Sequence, residues 1–591
     1  MPIEGIRAEV LRNELTSIAE EMALTVHRTA RSTAARESGD FSTALMDKRG
    51  ELLVQGFANG IHVGSMAAIM PAVLQKFAKR GFYVNDAVIT NDPYSGLSHL
   101  PDIVVIQPVI TRGLLQGFAS VEMHHADIGG RFAGGMGLPS RTIYEEGVRM
   151  PPMLLIDRGV RNDALLDLVG ANVRTPQAVL GDLESQIVAA RQGSEEFAAL
   201  YARYQDGEFE ALAATLQEHS STMSRNFIRR LPDGEYRHTS QFEGEGNNPY
   251  FISVSIKIEN DTMCVDFAGT ADQSESALNV PLGLTKAAVY AVFRCLLGPD
   301  SFINAGLTSP ITIEAPDGTL VNPRQPAAVG ARGMLLWRLV DILFEAFSKI
   351  DSSRVVAGGE GGVSGLVFAP VNAAGNGQRH VLMDLYAGGW GGRNGRDGVD
   401  GSSSAISGGM LRALPAEVIE REYPVVVESF TFVPNREGAG EYRGCAALGR
   451  TWLFLDDGDC TLRLARRDSL PYGIAGGEDG SPAIVLWERD GRNLDVPGGT
   501  SPQLSILAGD RLTHIQCGGG GYGDPLARSP ERVLRDVLQS KISSERAKAC
   551  YGVVIDGAQV SVGATKVQRR ALLAARLAQT ERGTTLGRES D

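Results

Sequence analysis

The sequence predicts a multidomain α+β protein with mixed and antiparallel sheets, a helical connector and a C-terminal helical tail. Three observations carry that reading. Helix-type and strand-type apolar periods occupy separate blocks along 591 residues, a long Ala/Glu/Leu-rich stretch divides the early blocks from the later ones, and 70 glycines bunch into a few clusters.

Between Glu4 and Thr29, Ile6, Val10, Leu11, Leu15, Ile18, Met22 and Val26 recur at helical spacing and predict one long amphipathic helix. A second helix fits Ser65–Arg80. Short β-type runs follow at 87–90, 103–110 and 114–123, separated by Gly, Pro and Asp. From Gln177 to Arg230 the period is helical again, with Gly181, Gly193 and Gly207 as breaks, which reads as a three-helix connector. Ile252, Val254, Ile256 and Ile258 alternate with polar residues, Asn260-Asp261 turns, and Met263–Phe267 returns, a hairpin pattern. Helices fit Leu284–Leu297 and Gly333–Lys349. Gly358–Gly409 reads as loop-rich and glycine-rich, and 425–433, 451–455 and 483–487 as antiparallel strands. Ser529-Pro530-Glu531 supplies a cap, a first-turn proline and a first-turn acid for a helix, and a last helix fits Lys566–Gln579. The expected units are an N-terminal metal-site domain (1–175), the connector (176–232), a central α/β region (233–355), a glycine-rich β region (356–524) and the tail (525–591).

Composition narrows the function. A net charge of −13 with both signs interspersed leaves no basic stripe for nucleic acid. No run of about 18 apolar residues and no basic-then-apolar leader occurs, so a soluble cytoplasmic protein without a membrane partner is expected. The six cysteines form no CxxC pair, which argues against disulfide, zinc-ribbon and iron–sulfur frameworks. GxxxxGK[ST] and GxSxG are both missing, so neither a nucleotide cradle nor a nucleophile elbow is expected. The clusters Gly358–Gly362 and Gly388–Gly392 read as close approaches of backbone.

One constellation carries chemistry. If Thr111-Arg112-Gly113 turns between strands 103–110 and 114–123, paired positions sum to about 224. Leu100 then faces His124 and Asp102 faces Glu122, which makes Asp102 and His124 diagonal neighbours on one face. Pro101 frees His99 to reach the same end. Two imidazoles and a carboxylate suit zinc, manganese or iron. His125 points to the opposite face, and His62, His27, His219, His238, His380 and His514 read as structural.

Several stretches in order resemble the hydantoinase B/oxoprolinase family of large subunits, itself similar to the alpha subunits of acetone and acetophenone carboxylases. They are Val10–Met22, Asp40-Phe-Ser-Thr-Ala-Leu45, His62-Val-Gly-Ser-Met66, Asn91-Asp-Pro-Tyr94, His99-Leu-Pro-Asp102, His124-His-Ala-Asp-Ile-Gly-Gly130, Ile143-Tyr-Glu-Glu-Gly147, Asp266-Phe-Ala-Gly-Thr270, Val321-Asn-Pro323 and Gly518–Pro525. The resemblance implies a metal held by Asp40, His99, Asp102 and His124, with Asp40 known only from the resemblance. Departures at Gly96-Leu97-Ser98, Arg131–Met136 and Pro434–Gly438 alter pocket lining rather than ligands.

The resemblance further implies ATP-dependent opening of a cyclic amide such as a hydantoin, 5-oxoproline or a lactam. ATP would be bound by a hydantoinase A-type partner that phosphorylates the amide oxygen, and this chain would supply metal-activated water. Zinc is the first choice of metal, with manganese or iron as alternatives, and a dimer of heterodimers is the implied assembly. Glu122, Glu145 and Glu146 are the candidates for proton transfer. Two other readings remain open: a subunit of an ATP-dependent, biotin-independent ketone carboxylase, and a metal-stabilised assembly subunit without chemistry.

Overall fold

The computed structural model describes residues 3–58, 60–244, 249–299, 301–372, 380–402 and 412–586. Its first layer is a seven-stranded antiparallel sheet built from β1 (Phe41–Asp47), β2 (Leu52–Ala58), β3 (Ala87–Thr90), β4 (Asp102–Thr111), β5 (Leu114–His124), β6 (Met153–Asp157) and β7 (Val160–Arg161). The strand order is β2-β1-β5-β4-β3-β6-β7, so the β4–β5 hairpin lies at the centre, buried on both faces. Ile103, Val105, Val121 and Met123 point into a core shared with the helices Ile3–Thr29 and Pro176–Tyr201. Val104, Ile106 and Phe118 point the other way, against Met66, Met70 and Val73. Period-two alternation thus places odd and even residues in two different cores.

The expected pairing sum of 224 is corrected to 226 at the functional end. Arg112 and Gly113 both have positive φ, 54° and 78°, which makes a two-residue turn that pairs Thr111 with Leu114. A bulge then adds one residue on β5, between the pairs Ile110–Leu115 and Val109–Gly117. Asp102 therefore faces His124 directly, and Glu122 faces Val104. The slip is an even number of residues, so every side chain keeps its predicted face.

Two helical expectations also change. Ser65–Arg80 is divided into the helices Gly60–Ala68 and Met70–Phe77, because Pro71 lies in the first turn of the second and brings no N–H to a continuous ladder. The 177–230 stretch holds two helices, Pro176–Tyr201 and Glu208–Ile228. Gly207, at φ +79°, separates them, whereas Gly181 and Gly193 lie inside the first. A Cβ on Gly193 would stand 2.2 Å from Met22 Sδ, and one on Gly181 2.4 Å from Arg31 Cγ. Gly193 lets the helix lie against the N-terminal helix and Gly181 admits Arg31 just beyond its end; neither ends the helix.

A mixed second sheet follows, β8 (Gly234–Phe242), β9 (Tyr250–Glu259), β10 (Thr262–Asp266) and β11 (Ile311–Glu314), with β10 and β11 parallel. The helices Leu282–Leu297 and Gly333–Asp351 share its core. Two larger antiparallel sheets follow, one of strands 364–370, 382–386, 458–463 and 503–506, the other of strands 425–433, 447–454, 484–489, 492–494 and 511–515, and a two-stranded ladder of 555–556 and 559–560 lies near the C-terminus. In the glycine clusters backbones do approach closely: a Cβ on Gly391 would meet Ala357 O at 2.2 Å and one on Gly444 would meet Gly519 O at 1.8 Å. The last helix runs Val562–Leu586. Among the described residues no helix is long and apolar enough to cross a membrane.

Replacing Gly193 with alanine forces the fully buried Met22 to move and is expected to cost about 1–3 kcal/mol of stability. Urea denaturation of the variant beside wild type measures it.

Candidate metal centre

The site forms where the open end of the β4–β5 hairpin meets the N-terminus of the Gly333–Asp351 helix. Asp102 opens β4 and His124 closes β5, so the register itself sets them side by side, with His124 Nδ1 2.8 Å from Asp102 Oδ1. His99 enters from the loop before β4, its Nε2 3.1 Å from both Asp102 Oδ1 and His124 Nδ1. The two rings stack at 5.0 Å. All three residues are at most 4% exposed.

The loop that delivers His99 is clamped by the Asn91-Asp92 motif. Asn91 Nδ2 donates to Leu100 O and Val148 O, and Asn91 Oδ1 accepts from Met150 N. Asp92 pairs with Arg149 through two bonds of 2.8 Å. Gly96, at φ +130°, lies so near Ala68 that a Cβ would meet its carbonyl carbon at 2.5 Å. On the other side, Arg332 Nη2 donates to Asp102 Oδ2 at 2.9 Å and Arg332 Nε to Ser98 Oγ at 2.8 Å. Nothing in the sequence joins Arg332 to a residue 230 positions away. Its only signal is its place just before an apolar helix.

Burial, then the charge of Arg332, pushes His99 well below its ordinary pKa. Burial opposes ionisation of Asp102, but His99, His124 and Arg332 outweigh it and hold the carboxyl well below its usual range. The pattern is a neutral imidazole beside a carboxylate, the states in which both ligate metals. Three donor atoms 2.8–3.1 Å apart face one another, and donors on a tetrahedral ion at about 2.0–2.1 Å stand roughly 3.3 Å apart. The residues present therefore fit a transition metal. Asp40 borders the same cavity of about 60 Å³ as His124 and Arg332, and its carbonyl accepts from His124 N at 3.0 Å.

His62, read as structural from sequence, lies beside this centre. Its Nδ1 is 2.8 Å from Ser42 Oγ and its Nε2 4.0 Å from Glu122 Oε1, and one donor atom each of His62, Asp102 and Glu122 lie within 4.8 Å of one another. The signal that could have found it is its three-residue spacing from Ser65, which donates to both Glu122 oxygens at 3.0 and 2.8 Å. Burial, then the Asp102 charge, raises the Glu122 carboxyl well above its ordinary range. His125, on the opposite face as expected, is 3.0 Å from Gln186 Oε1.

The other two candidate glutamates are placed apart. Glu145 closes a capping box with Thr142 and pairs with Arg131. Glu146 is buried and accepts from Val329 N and Gly330 N, fixing the segment that leads to Arg332. Burial raises its carboxyl to about 8.

Because the folded Glu146 holds its proton to about pH 8 and an unfolded one releases it near 4.5, folding loses stability as pH rises through that window and not below it. Glu146→Gln removes the titration. Its stability relative to wild type is expected to rise by about 2–4 kcal/mol between pH 4.5 and 8, measured by urea denaturation at both ends.

The profile of the hydantoinase B/oxoprolinase family matches residues 4–525. A protein of Pseudomonas sp. (strain NS671) described as the putative B-type component of a D-/L-hydantoinase is 31% identical over 94% of this chain and 95% of its own length. The beta subunit of caprolactamase from Pseudomonas jessenii is 29% identical over 96% and 99%. The crystal structure of ATP-dependent caprolactamase from Pseudomonas jessenii superposes with a TM-score of 0.88 at 28% identity, covering 96% of this chain and 100% of that one. A nucleotide-free acetone carboxylase structure gives 0.88 at 19% identity over 98% and 85%, a likeness of fold. This chain is a member of the hydantoinase B/oxoprolinase family.

Proposed function

We propose that this chain is the metal-holding subunit of an ATP-dependent cyclic-amide hydrolase, opening a hydantoin, 5-oxoproline or lactam ring with a hydantoinase A-type ATPase partner. The observation that carries the reading is the buried triangle of His99, Asp102 and His124, whose three donor atoms crowd around one point as ligands of a shared ion do. Relatives matched along nearly their full length are named for hydantoinase and caprolactamase activity, and both are named as subunits. ATP is assigned to the partner.

His99, Asp102, His124 and Asp40 would hold the ion, zinc first and manganese or iron otherwise. When bound, the ion supplies a Lewis acid that lowers the pKa of water toward about 7. The chain's own groups do the rest. Arg332 fixes the Asp102 carboxylate, so its second oxygen stays turned to the histidines. Glu122, gripped by Ser65, is assigned the proton that the ring nitrogen takes up when its C–N bond breaks. Glu145 and Glu146 are assigned to holding the loops around the centre.

Reconstitution with a partner ATPase and a panel of cyclic amides tests this. ATP-dependent ring opening is expected only with both chains present, without incorporation of labelled bicarbonate. Glu122→Gln is expected to lower kcat by about 10²–10⁴-fold with little change in KM. Ring opening that survives in this variant at wild-type rate removes Glu122 from the chemistry, and carboxylation of a ketone replaces the hydrolase reading.

A further inference from the structure

We propose that Arg463 and the N-terminus of the Gly333–Asp351 helix form an oxyanion subsite beside Asp40 and His124, which takes a phosphoryl or carboxylate group of the ligand. The proposal rests on the reading of this cavity as the reaction site.

Arg463 ends the 458–463 strand and borders the cavity that Asp40, His124 and Arg332 also border. It is 4% exposed. Other arginines buried to this degree face an aspartate: Arg332 faces Asp102, Arg443 Asp400, Arg450 Asp384, Arg466 Asp341 and Arg528 Asp536. Arg338 lacks such a partner but donates to the Ser469 hydroxyl. Arg463 donates from Nη1 to Met136 Sδ at 2.9 Å, a weak acceptor, and its Nε has no partner. Among the described residues no carboxylate lies within 4.0 Å of it, and the Asp40 charge reaches it only across the cavity. A guanidinium buried in this way is destabilising unless an anion meets it.

The guanidinium also lies against the start of a helix. A Cβ on Gly333, the first residue of a 19-residue helix, would stand 2.5 Å from Arg463 Nη2. The cation therefore rests on the positive end of a helix dipole, a repulsive pairing. An oxyanion in the cavity reverses the sign of both interactions, accepting from the guanidinium and stabilised by the helix end. Glycine at 333 is what leaves room for the pairing. Burial and the nearby Arg332 charge draw Arg463 down to about 10, which leaves it cationic at neutral pH. Arg412, exposed at the same cavity, adds positive charge at its rim.

Calorimetric titration of the full chain with inorganic phosphate, and separately with acetate, tests the subsite without ATP or a partner. Saturable one-to-one binding is expected in wild type, weakened at least tenfold in Arg463→Met and less in Arg463→Lys, with metal content unchanged. Tighter phosphate than acetate points to a phosphoryl group, and the reverse points to a substrate carboxylate. If Arg463→Met does not fold, Arg463→Lys and Gly333→Ala decide, and each is expected to weaken binding severalfold. Binding of neither anion to wild type, or undiminished binding in the folded variants, overturns the proposal. Loss of hydrolase activity with intact phosphate binding would instead count against the reaction and not the subsite.

Discussion

The Asp102 carboxylate is the point on which the rest of the centre depends. One oxygen serves His99 and His124, the other Arg332, and the three partners arrive from a loop, a neighbouring strand and a helix start 230 residues away. Taking these groups out of water is expensive unless all of them are matched. The surrounding construction answers that demand: Asn91 and Asp92 fix the His99 loop, Glu146 fixes the approach to Arg332, and Ser65 grips Glu122. Each brace is itself buried or half-buried and hydrogen-bonded, so the donor atoms are set before any ligand arrives.

The cavity beside this point is asymmetric in charge. On the hairpin side stand the Asp40 carboxylate and the His124 imidazole, with Arg332 beside them. On the opposite side, strand 458–463 and the Gly333–Asp351 helix present a guanidinium and a dipole of positive sign. A ligand bridging the two sides meets Asp40 and His124 at one end and Arg463 at the other.

Much of this is legible in the residues. Strand alternation, the positions of the hairpin and the parity that puts Asp102, Glu122 and His124 on one face all follow from a period of two, and that parity tolerates a two-residue shift in register. The shift comes from the turn: Arg112 accepts positive φ without glycine's help, and the bulge at β5 leaves no mark in the pattern. Gly181 and Gly193 mislead for a related reason, since a glycine that admits a neighbouring segment and one that ends a helix look alike in sequence. Arg332, Arg463 and His62 stay hidden because their partners are distant in the chain and no local period links them. Asp40 is placed by family likeness alone, and its structural setting is a shared cavity wall.

Whether the buried triangle holds an ion decides the central claim. Metal content by plasma mass spectrometry on purified wild type, beside folded His99→Ala and His124→Ala chains, is the direct measurement. About one transition-metal ion per wild-type chain, lost in both variants, is the predicted result. A folded wild type that takes up no metal on reconstitution, or variants that retain it in full, would contradict a metal centre at this hairpin.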